Sequence, residues 1–406
     1  MIDVVGIEAS GWRTLAEAER SLIGSADVLL GASRQLSLVP EQSGQLRLPW
    51  PTPLRAGLDE LLAEHRGRRV VALASGDPLL AGIGSTLVDL LGSKQVRIHP
   101  AVSSVALARA RLGWRAESVE VIRLVDAGAA VVRSRLAPSR RLVILSRDEF
   151  SPAHVAQALI DTGFASSPMI VYADLGADSE TCWTQTAARW EHTAVPRLNL
   201  ICVECVPDRA SAAWSPSPGL PDDMFEHDGQ LTKREVRASA LAHLRPVPGQ
   251  LLWDLGAGAG SVAIEWVRAH PACRAVAVER DGDRASRIRR NADRLGVPGV
   301  EVVHGETSAV VADLPRPDAV YLGGGLSSAM VGAGWQALRG GGRLVAHAVT
   351  TESERLLLDA WSRRGGELCR ISVERMEPLG SYSGWKPARA VVQWSITKPL
   401  TEDDQQ

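Results

Sequence analysis

The chain has 406 residues, of which 45% are hydrophobic and 23% charged, and its 45 Lys and Arg nearly balance its 47 Asp and Glu. This length exceeds what one ordinary hydrophobic core serves, so we predict two or three domains. The balanced charge argues against a global field that recruits nucleic acid or an anionic membrane, and an anionic ligand would need a local basic cluster.

The N-terminal residues and the cysteines predict a cytoplasmic protein without membrane partners or a metal site. The chain begins Met-Ile-Asp-Val-Val-Gly-Ile, which lacks the basic start and long apolar run of a signal peptide. No stretch approaches the roughly 18 apolar residues that a membrane helix requires. The lone C-x-x-C at Cys202 and Cys205 lies in an apolar run. Because positions three apart face opposite sides of a strand, we expect two reduced core thiols there.

The first half of the chain has an α/β pattern. Thr14 and Glu17 have the spacing of a capping box for a helix that ends at Gly24. A leucine stripe over residues 54–62 predicts a second helix. Ser103 or Ser104 would cap a third helix, which runs to Gly113. The predicted strands are Val4–Ile7, Val70–Ala74, Leu142–Leu145 and Leu200–Val206.

A proline- and serine-rich segment, Pro207–Pro221, has no periodicity and predicts a linker. The predicted domains are therefore residues 1–206 and 222–400, joined by the linker at 207–221. The second domain alternates strands with helices, including a basic helix over Arg284–Leu295. Its predicted strands are Leu251–Leu255, Ala275–Val278, Val300–Val303, Ala319–Leu322 and Arg343–Ala346.

Two final apolar runs, Glu367–Arg375 and Arg389–Ile396, leave no room for a helix between them and predict an antiparallel pair. A parallel βα series closed by such a pair matches the Rossmann-like sheet of class I methyltransferases. The predicted fold class is therefore α/β in both halves.

A glycine-rich turn follows the first strand of the second domain. The strand ends around Asp254, and Gly256, Gly258 and Gly260 then turn the chain into a helix. Without side chains the backbone can touch a ligand, and the helix start offers free N–H groups. Gly258 and Gly260 also fit the dinucleotide pattern G-x-G-x-x-A, so a nicotinamide-dependent oxidoreductase is an alternative.

Two features of this domain favour S-adenosylmethionine over a dinucleotide. The Asp254 carboxylate can attract a cationic amino acid moiety but would repel a pyrophosphate, and the closing antiparallel pair is foreign to most dinucleotide domains. A tight turn without any ligand is the structural alternative. The predicted cofactor contacts in this turn are Asp254, Gly256, Ala257, Gly258, Ala259 and Gly260.

Carboxylates that follow the next strands extend the predicted cofactor site. Glu279 ends the second strand, where an acid commonly accepts both ribose hydroxyls. An exposed acid that heads a basic helix is the alternative. After the third strand, Glu306 or Thr307 could meet the adenine edge. Upstream, Thr232 and Glu235 have capping-box spacing, and a capped helix start still presents N–H groups to a ligand, so Thr232 is a further predicted contact.

Cations and glycines near this site predict a substrate surface. Local positive charge suits a polycarboxylate, although a solvated basic face explains it equally well. The glycines after the fourth strand offer a flat surface to a broad, stiff ligand, although a loop with unusual dihedral angles would also need them. These candidate substrate residues are Lys233, Arg234, Arg237, Gly323, Gly324 and Gly325.

Three segments of the second half together resemble the decarboxylating corrin methyltransferase domain over residues 222–397. They are Phe225–Arg237, Trp253–Trp266 and Leu322–Gly325. The first half, over 1–206, resembles the tetrapyrrole methylase family. Its signatures are Val5-Gly6-Ile7, Ala74-Ser-Gly-Asp-Pro78 with Gly82, and Pro100-Ala-Val-Ser-Ser104.

The tetrapyrrole methylase resemblance implies a second S-adenosylmethionine site, in a cleft between two α/β lobes. Relatives usually continue the first strand with another glycine, whereas Glu8 and Ala9 stand here, so the first cofactor loop is expected to differ. The contacts implied by the resemblance are Gly6, Gly76, Asp77, Pro78, Ser103 and Ser104.

The fusion of these two halves implies a function in cobalamin biosynthesis. The implied reactions are methylation of carbons 5 and 15 of a precorrin-6 macrocycle and decarboxylation of its ring C acetate, with carbon 15 and decarboxylation assigned to the second half. The resemblance also implies a homo-oligomer, for which a homotetramer is one candidate. His227 and Lys233 are candidate proton donors. The alternative function is a class I methyltransferase acting on tRNA or another small molecule, with a non-catalytic N-terminal scaffold.

Overall fold

A computed structural model describes residues 1–125, 128–208 and 215–400. The chain divides into two compact units, one comprising 1–128 and 138–208, the other 129–137 and 209–406. Residues 209–214 of the predicted linker lie outside the described residues. The predicted α/β class is confirmed in both units.

The first lobe of unit 1 is a parallel sheet with strand order β3-β2-β4-β1-β5. Alternate residues of β1 are buried on opposite faces of the sheet, Val4 on one and Val5 on the other. Such burial on both faces is what an apolar parallel strand requires. The elements are β1 (Ile2–Ile7), α1 (Glu17–Gly24), β2 (Val28–Gly31), α2 (Ser33–Ser37), β3 (Leu46–Pro49), α3 (Leu54–Glu64), β4 (Val70–Ser75), α4 (Ile83–Leu91) and β5 (Val96–His99).

The second lobe of unit 1 is a mixed sheet with order β6-β7-β10-β8-β9, in which only β6 and β7 are parallel. The predicted pair of lobes is therefore present. The elements are α5 (Ser104–Leu112), β6 (Val119–Arg123), β7 (Arg141–Leu145), α6 (Ser151–Asp161), β8 (Pro168–Ala173), β9 (Thr181–Thr186) and β10 (Asn199–Glu204).

Of two caps predicted for helices in unit 1, the structure contains one. Ser103 caps α5, because its hydroxyl accepts the Ala106 N–H at 3.1 Å, and Gly113 ends that helix with φ +64°. The predicted capping box at Thr14 is wrong. Its hydroxyl donates to the Gly11 carbonyl at 3.1 Å within a short 3-10 helix, and α1 begins later without a side-chain cap.

Unit 2 contains a seven-stranded sheet of order β13-β12-β11-β14-β15-β19-β16. Its first five strands are parallel, and β19 is antiparallel to both β15 and β16. The predicted closing antiparallel pair is confirmed. The strands are β11 (Leu251–Leu255), β12 (Arg274–Glu279), β13 (Glu301–His304), β14 (Ala319–Leu322), β15 (Arg343–Ala348), β16 (Glu367–Ile371), β17 (Glu374–Leu379), β18 (Tyr382–Pro387) and β19 (Val391–Thr397).

The helices of unit 2 cover both faces of this sheet. Leu252 and Trp266 belong to the hydrophobic cluster on one face, and Trp253 and Trp394 to the cluster on the other. The helices are α7 (Arg234–Leu244), α8 (Ser261–Ala269), α9 (Gly282–Arg294), α10 (Thr307–Val310), α11 (Ser328–Ala337) and α12 (Thr351–Arg364).

An extra hairpin, β17–β18, separates the two predicted C-terminal runs. Its side chains are largely exposed, including Tyr382 at 80% and Trp385 at 66%. The sequence did not predict it, because proline and glycine within a segment argue against strand structure.

All five cysteines lie within the described residues, and none of them forms a disulfide. Cys202, Cys205 and Cys273 are buried, Cys369 is half-buried and Cys182 is exposed. Within the described residues, no group of three His, Cys, Asp or Glu is placed to hold a metal ion. None of the helices in these same residues has the length and apolarity needed to cross a membrane.

Candidate active sites

A cavity of about 670 Å³ lies at the carboxyl ends of the parallel strands of unit 2. This is where ligands bind in open α/β sheets. Eleven of the predicted site residues line it, namely Thr232, Lys233, Gly256, Ala257, Gly258, Glu279, Glu306, Thr307, Gly323, Gly324 and Gly325.

The glycine turn is required by close backbone contacts. Gly256 has φ +72°, and a Cβ atom there would lie 2.2 Å from the Gly324 carbonyl oxygen. Gly258 has φ +59°, and its Cβ would lie 3.2 Å from the Gln230 oxygen. Gly260 instead faces the core, where a Cβ would lie 2.6 Å from Ile288. Gly260 and the buried Ala259 therefore shape the turn without lining the cavity.

The Asp254 side chain lies beneath the turn rather than in the cavity wall, and it is 1% exposed. One carboxylate oxygen accepts the Ala263 N–H at 3.0 Å, and the other has no hydrogen-bond partner among the described residues. Because helix α8 covers the carboxylate, Asp254 does not reach the cavity in which its contact with the cofactor was predicted. Burial raises the pKa of Asp254 to about 7, and the nearby Glu279 carboxylate adds to this effect.

We expect the variant Asp254→Asn to become more stable relative to the parent chain as pH rises. In the unfolded chain Asp254 ionises near pH ~4, whereas in the folded chain it stays protonated up to pH ~7. The free energy of unfolding of the parent chain therefore falls as pH rises between these two values. The difference in unfolding free energy should grow by at most about 1.4 kcal/mol per pH unit in that window and stay constant above it. Urea denaturation from pH 5 to pH 8 measures this.

A matched control for that experiment is Asp281→Asn. The backbone N–H of Arg284 holds the pKa of Asp281 below its usual range, so the difference in unfolding free energy between Asp281→Asn and the parent chain should stay constant from pH 5 to pH 8. A difference between Asp254→Asn and the parent chain that does not change with pH would contradict the assignment of the raised pKa.

Glu279 is held rigidly in the cavity wall by the backbone. Its two carboxylate oxygens accept the Gly258 N–H at 2.8 Å and the Asp281 N–H at 3.0 Å. This arrangement fixes a carboxylate beside the glycine turn, and its contact with ribose hydroxyls stays a prediction. Glu306 and Thr307 lie near it in the same wall, at the start of α10.

The segment before α7 differs from its prediction in two respects. Helix α7 begins after Lys233 and has no side-chain cap, so the predicted capping box at Thr232 is wrong. The Thr232 hydroxyl is instead 3.1 Å from the Tyr321 hydroxyl. His227 is exposed and does not line the cavity. Its Nδ1 accepts the Gly229 N–H at 3.0 Å, which is a turn-forming role.

The three predicted cations have different environments. Lys233 lines the cavity and lies 3.7 Å from an Asp222 oxygen, whereas Arg234 is exposed and does not line it. The prediction that Arg237 binds the substrate is wrong, because its side chain is 0% exposed and cannot reach a substrate. Its guanidinium is bound to the buried Glu265 at 2.6 Å.

Four functional candidates in this cavity were missed by sequence reasoning. Tyr321 and His347 line it from β14 and β15, and Arg375 and Arg389 line it from β17 and from the residues before β19. Tyr321 and His347 both gave a usable signal, since each stands near the carboxyl end of a parallel strand. Arg375 and Arg389 depend on how the chain beyond the parallel strands folds back over the sheet.

Unit 1 has a smaller cavity between its two lobes. Of the residues implied by resemblance, Gly76, Asp77, Ser103 and Ser104 line it. Gly6 and Pro78 do not line it. A Cβ at Gly6 would lie 2.1 Å from the Gly76 oxygen, so Gly6 allows strand β1 and the loop after β4 to approach each other.

Several residues of the unit 1 cavity were not anticipated. Glu8, which directly follows β1, lines the cavity. Arg34 also lines it and donates to the Ser75 hydroxyl at 3.0 Å, and burial lowers the pKa of this guanidinium. Tyr172 lines it from the second lobe, and burial raises its pKa to about 12.

Comparisons with known proteins match both halves. Residues 1–190 match the Tetrapyrrole (Corrin/Porphyrin) Methylases family, and residues 223–398 match the Precorrin methyltransferase domain family. A Sinorhizobium protein named precorrin-6Y C(5,15)-methyltransferase [decarboxylating] is 42% identical over 398 residues, which is 98% of this chain and 96% of that protein. The chain belongs to the precorrin-6Y C(5,15)-methyltransferase family.

Two shorter relatives each match part of this family member. A Pyrobaculum calidifontis protein named "probable cobalt-precorrin-6B C(15)-methyltransferase (decarboxylating)" is 35% identical over 41% of this chain and 89% of its own. A Salmonella typhimurium protein named cobalt-precorrin-7 C(5)-methyltransferase is 31% identical over 44% of this chain and 88% of its own. The chain is thus a methyltransferase with one cavity in each of two family-matched regions.

Proposed function

We propose that this chain transfers methyl groups from S-adenosylmethionine to carbons 5 and 15 of a precorrin-6 macrocycle and removes carbon dioxide from the ring C acetate. The observation that carries the proposal is the pair of loop-built cavities, one in each unit. We assign carbon 15 and decarboxylation to unit 2 and carbon 5 to unit 1. The two shorter relatives are named for a C(15) and a C(5) methyltransferase, which supports a division of the two reactions between separate parts of the chain.

The residues of the unit 2 cavity fit S-adenosylmethionine. Gly256 and Gly258 leave backbone exposed where a Cβ would fill the space, and Glu279 presents a fixed acceptor for hydroxyls. Asp254 lies beneath the turn, and above its raised pKa of about 7 its negative charge favours a cationic ligand over a pyrophosphate. In unit 1 the Gly6–Gly76 approach and the hydroxyls of Ser103 and Ser104 offer a comparable surface.

The chain's own residues mainly orient the reactants. When bound, S-adenosylmethionine supplies an electrophilic methyl group on a sulfonium sulfur. The glycine turn and Glu279 hold the donor side of the cavity, and Gly323–Gly325 leave a flat wall for the macrocycle. Fixing both reactants in one geometry removes several kcal/mol of barrier.

Cations on the cavity wall suit the carboxylates of the macrocycle. Lys233, Arg375 and Arg389 line the cavity. Arg375 is engaged with Glu235 at 2.6 Å, whereas no ion pair joins Arg389 within the part of the chain that the structure describes. Arg389 is therefore the cation best placed to bind a substrate carboxylate.

We expect Arg389→Ala to raise KM for the macrocycle about 10-fold with little change in kcat, because it removes a charge-assisted contact that is made throughout the reaction. Steady-state kinetics at two salt concentrations measures this, and the loss should shrink at high salt. Arg355→Ala, at an exposed arginine on α12 that does not line the cavity, is the matched control. Equal KM values for Arg389→Ala and the control would contradict the assignment.

The proposed function is tested by product mass and by binding stoichiometry. The full chain, with the precorrin-6 macrocycle and S-adenosylmethionine, should yield a product that has gained two methyl groups and lost one carbon dioxide. Calorimetric titration should give two bound S-adenosylmethionine molecules per chain. One bound molecule supports a non-catalytic N-terminal scaffold instead, and an unchanged carboxyl count in the product refutes decarboxylation.

Location and assembly complete the proposal. We propose a cytoplasmic homo-oligomer, with a homotetramer as one candidate, by analogy with the two families that the halves resemble. Sedimentation equilibrium measures the mass, and a monomer at micromolar concentration would contradict it. The tRNA alternative is not favoured, since the relative matched over 98% of the chain is named for a precorrin and the charge is balanced.

A further inference from the structure

Four side chains form a continuous hydrogen-bonded row at the wall of the unit 2 cavity. The Thr232 and Tyr321 hydroxyls are 3.1 Å apart, and the Tyr321 hydroxyl is 2.8 Å from Nδ1 of His347. Nε2 of His347 is 2.9 Å from Oε1 of Gln393. Thr232, Tyr321 and His347 all line the cavity.

The sheet holds this row rigidly. Tyr321 and His347 stand on the neighbouring parallel strands β14 and β15, and their rings meet edge to face with centroids 5.2 Å apart. Gln393 is the direct cross-strand partner of His347 on β19. Tyr321 is 2% exposed, His347 6% and Gln393 0%, so the row is shielded except where it meets the cavity.

The orientation of the Gln393 amide, with its oxygen toward the ring, selects one tautomer of His347. The Gln393 oxygen can only accept, so Nε2 of His347 carries the ring proton and Nδ1 is bare. Nδ1 therefore accepts the Tyr321 hydroxyl proton, and the Tyr321 oxygen accepts from Thr232. Burial lowers the pKa of His347 to about 4, which keeps the ring neutral. Tyr321 can thus take up a proton at its oxygen while passing its own to His347.

The proposed reaction in unit 2 both releases and takes up a proton. A bridging carbon that carries hydrogen must lose that proton after methylation, to restore its double bond. Loss of carbon dioxide from the acetate breaks a carbon–carbon bond and leaves an electron pair on the ring system, which must gain a proton at the methylene carbon. One proton is released and one is consumed, so a single acid–base pair can serve both steps.

We propose that Tyr321 and His347 are this proton-transfer pair, an inference that rests on the proposed function of unit 2. The Tyr321 oxygen takes the proton of the methylated carbon while its own proton moves to Nδ1 of His347. After the carboxyl carbon departs as carbon dioxide, Tyr321 donates a proton to the methylene carbon and recovers one from His347. The pair ends in its starting state, and no oxidant or reductant is needed.

A purely structural role does not account for the whole arrangement. Burying polar groups in a core costs free energy unless every group is bonded, and Nε2 of Gln393 has no partner among the described residues. Apolar side chains at these positions would avoid that cost. Of the carboxylates in the wall, Glu279 and Glu306 belong to the donor side of the cavity, and Glu235 is paired with Arg375.

The test uses the full chain with the variants Tyr321→Phe and His347→Asn. Both should lower the rate of decarboxylation about 100-fold or more, the usual range for loss of general acid–base catalysis. Methylation at carbon 5, S-adenosylmethionine binding and the thermal midpoint should stay close to those of the parent chain. His347→Asn keeps an acceptor for the Tyr321 hydroxyl but cannot carry the proton, so it separates proton transfer from hydrogen bonding.

Tyr382→Phe removes the same hydroxyl from an exposed tyrosine on β18 and should leave all rates unchanged. Decarboxylation at the parental rate in Tyr321→Phe, or in His347→Asn, overturns the inference. Loss of carbon-5 methylation and cofactor binding together with decarboxylation also overturns it, in favour of a structural role. If the parent chain itself neither methylates nor decarboxylates the macrocycle, the proposed function fails instead.

Discussion

Gly256→Ala should weaken cofactor binding in unit 2 about 100-fold, so that only one S-adenosylmethionine molecule per chain binds with parental affinity. The added Cβ would lie 2.2 Å from the Gly324 oxygen, and neither backbone loop can yield like a flexible side chain. The φ of +72° adds the strain of a left-handed non-glycine residue. Overpacking of ~1–3 kcal/mol together with this strain predicts an affinity loss of about 100-fold.

Gly249→Ala is the matched control for that substitution. Gly249 also has a positive φ, of +86°, but nothing lies within 4 Å of its Cβ position, and it does not line the cavity. It carries the backbone strain without the steric overlap, so its binding stoichiometry should remain two. Calorimetric titration measures both variants. Two sites of parental affinity in Gly256→Ala would show that the turn is not the cofactor surface.

Arg237→Met should destabilise unit 2 by about 3–5 kcal/mol, the cost of leaving a buried carboxylate without its cation. Nε of Arg237 donates to Glu265 at 2.6 Å, and the guanidinium also binds Asp222 at 3.3 Å and the carbonyl oxygens of Thr232 and Leu220. Chemical denaturation followed by tryptophan fluorescence measures the loss. Cofactor affinity should also fall, because the Arg237 contact positions the backbone of Thr232.

Two comparisons sharpen the Arg237 experiment. Adding Glu265→Gln to Arg237→Met removes the stranded charge and keeps an acceptor for one of the two N–H groups of Gly219 and Leu220, so part of the stability should return. Arg363→Met breaks only an exposed pair with Asp359 and should cost less than about 1 kcal/mol. A cost for Arg237→Met no larger than that for Arg363→Met would contradict the buried ion pair.

Local features of the fold were predictable from the sequence. The bounds of β11 and β14 match their predictions because short apolar runs between turns determine strands locally. The glycine turn at 256–260 was predicted for the same reason, since a tight turn between strand and helix depends on nearby backbone geometry. The resemblance to tetrapyrrole methylases added the two-lobed form of unit 1, which periodicity alone did not provide.

Features that depend on distant contacts were not predictable. Arg237 was assigned to the substrate because its partner Glu265 is 28 residues away and nothing in the local sequence pairs them. Asp254 was correctly predicted to lie at the glycine turn, but it was expected in the cavity wall, whereas α8 covers it and leaves it buried. The row from Tyr321 to Gln393 joins strands from separate regions of the chain, and only the antiparallel return of β19 brings His347 and Gln393 together.

The approach of Gly256 to Gly324 limits how this enzyme can be re-engineered for bulkier alkyl donors. The Gly324 N–H donates to the Gly256 carbonyl at 3.2 Å, so the two turns form a wall of main chain with no atoms to trim. Extra room for a larger group must come from side chains that can be shortened, such as Met330 or Val349. A mutant library directed at those two positions should broaden donor choice, whereas one directed at the glycines should only yield inactive proteins.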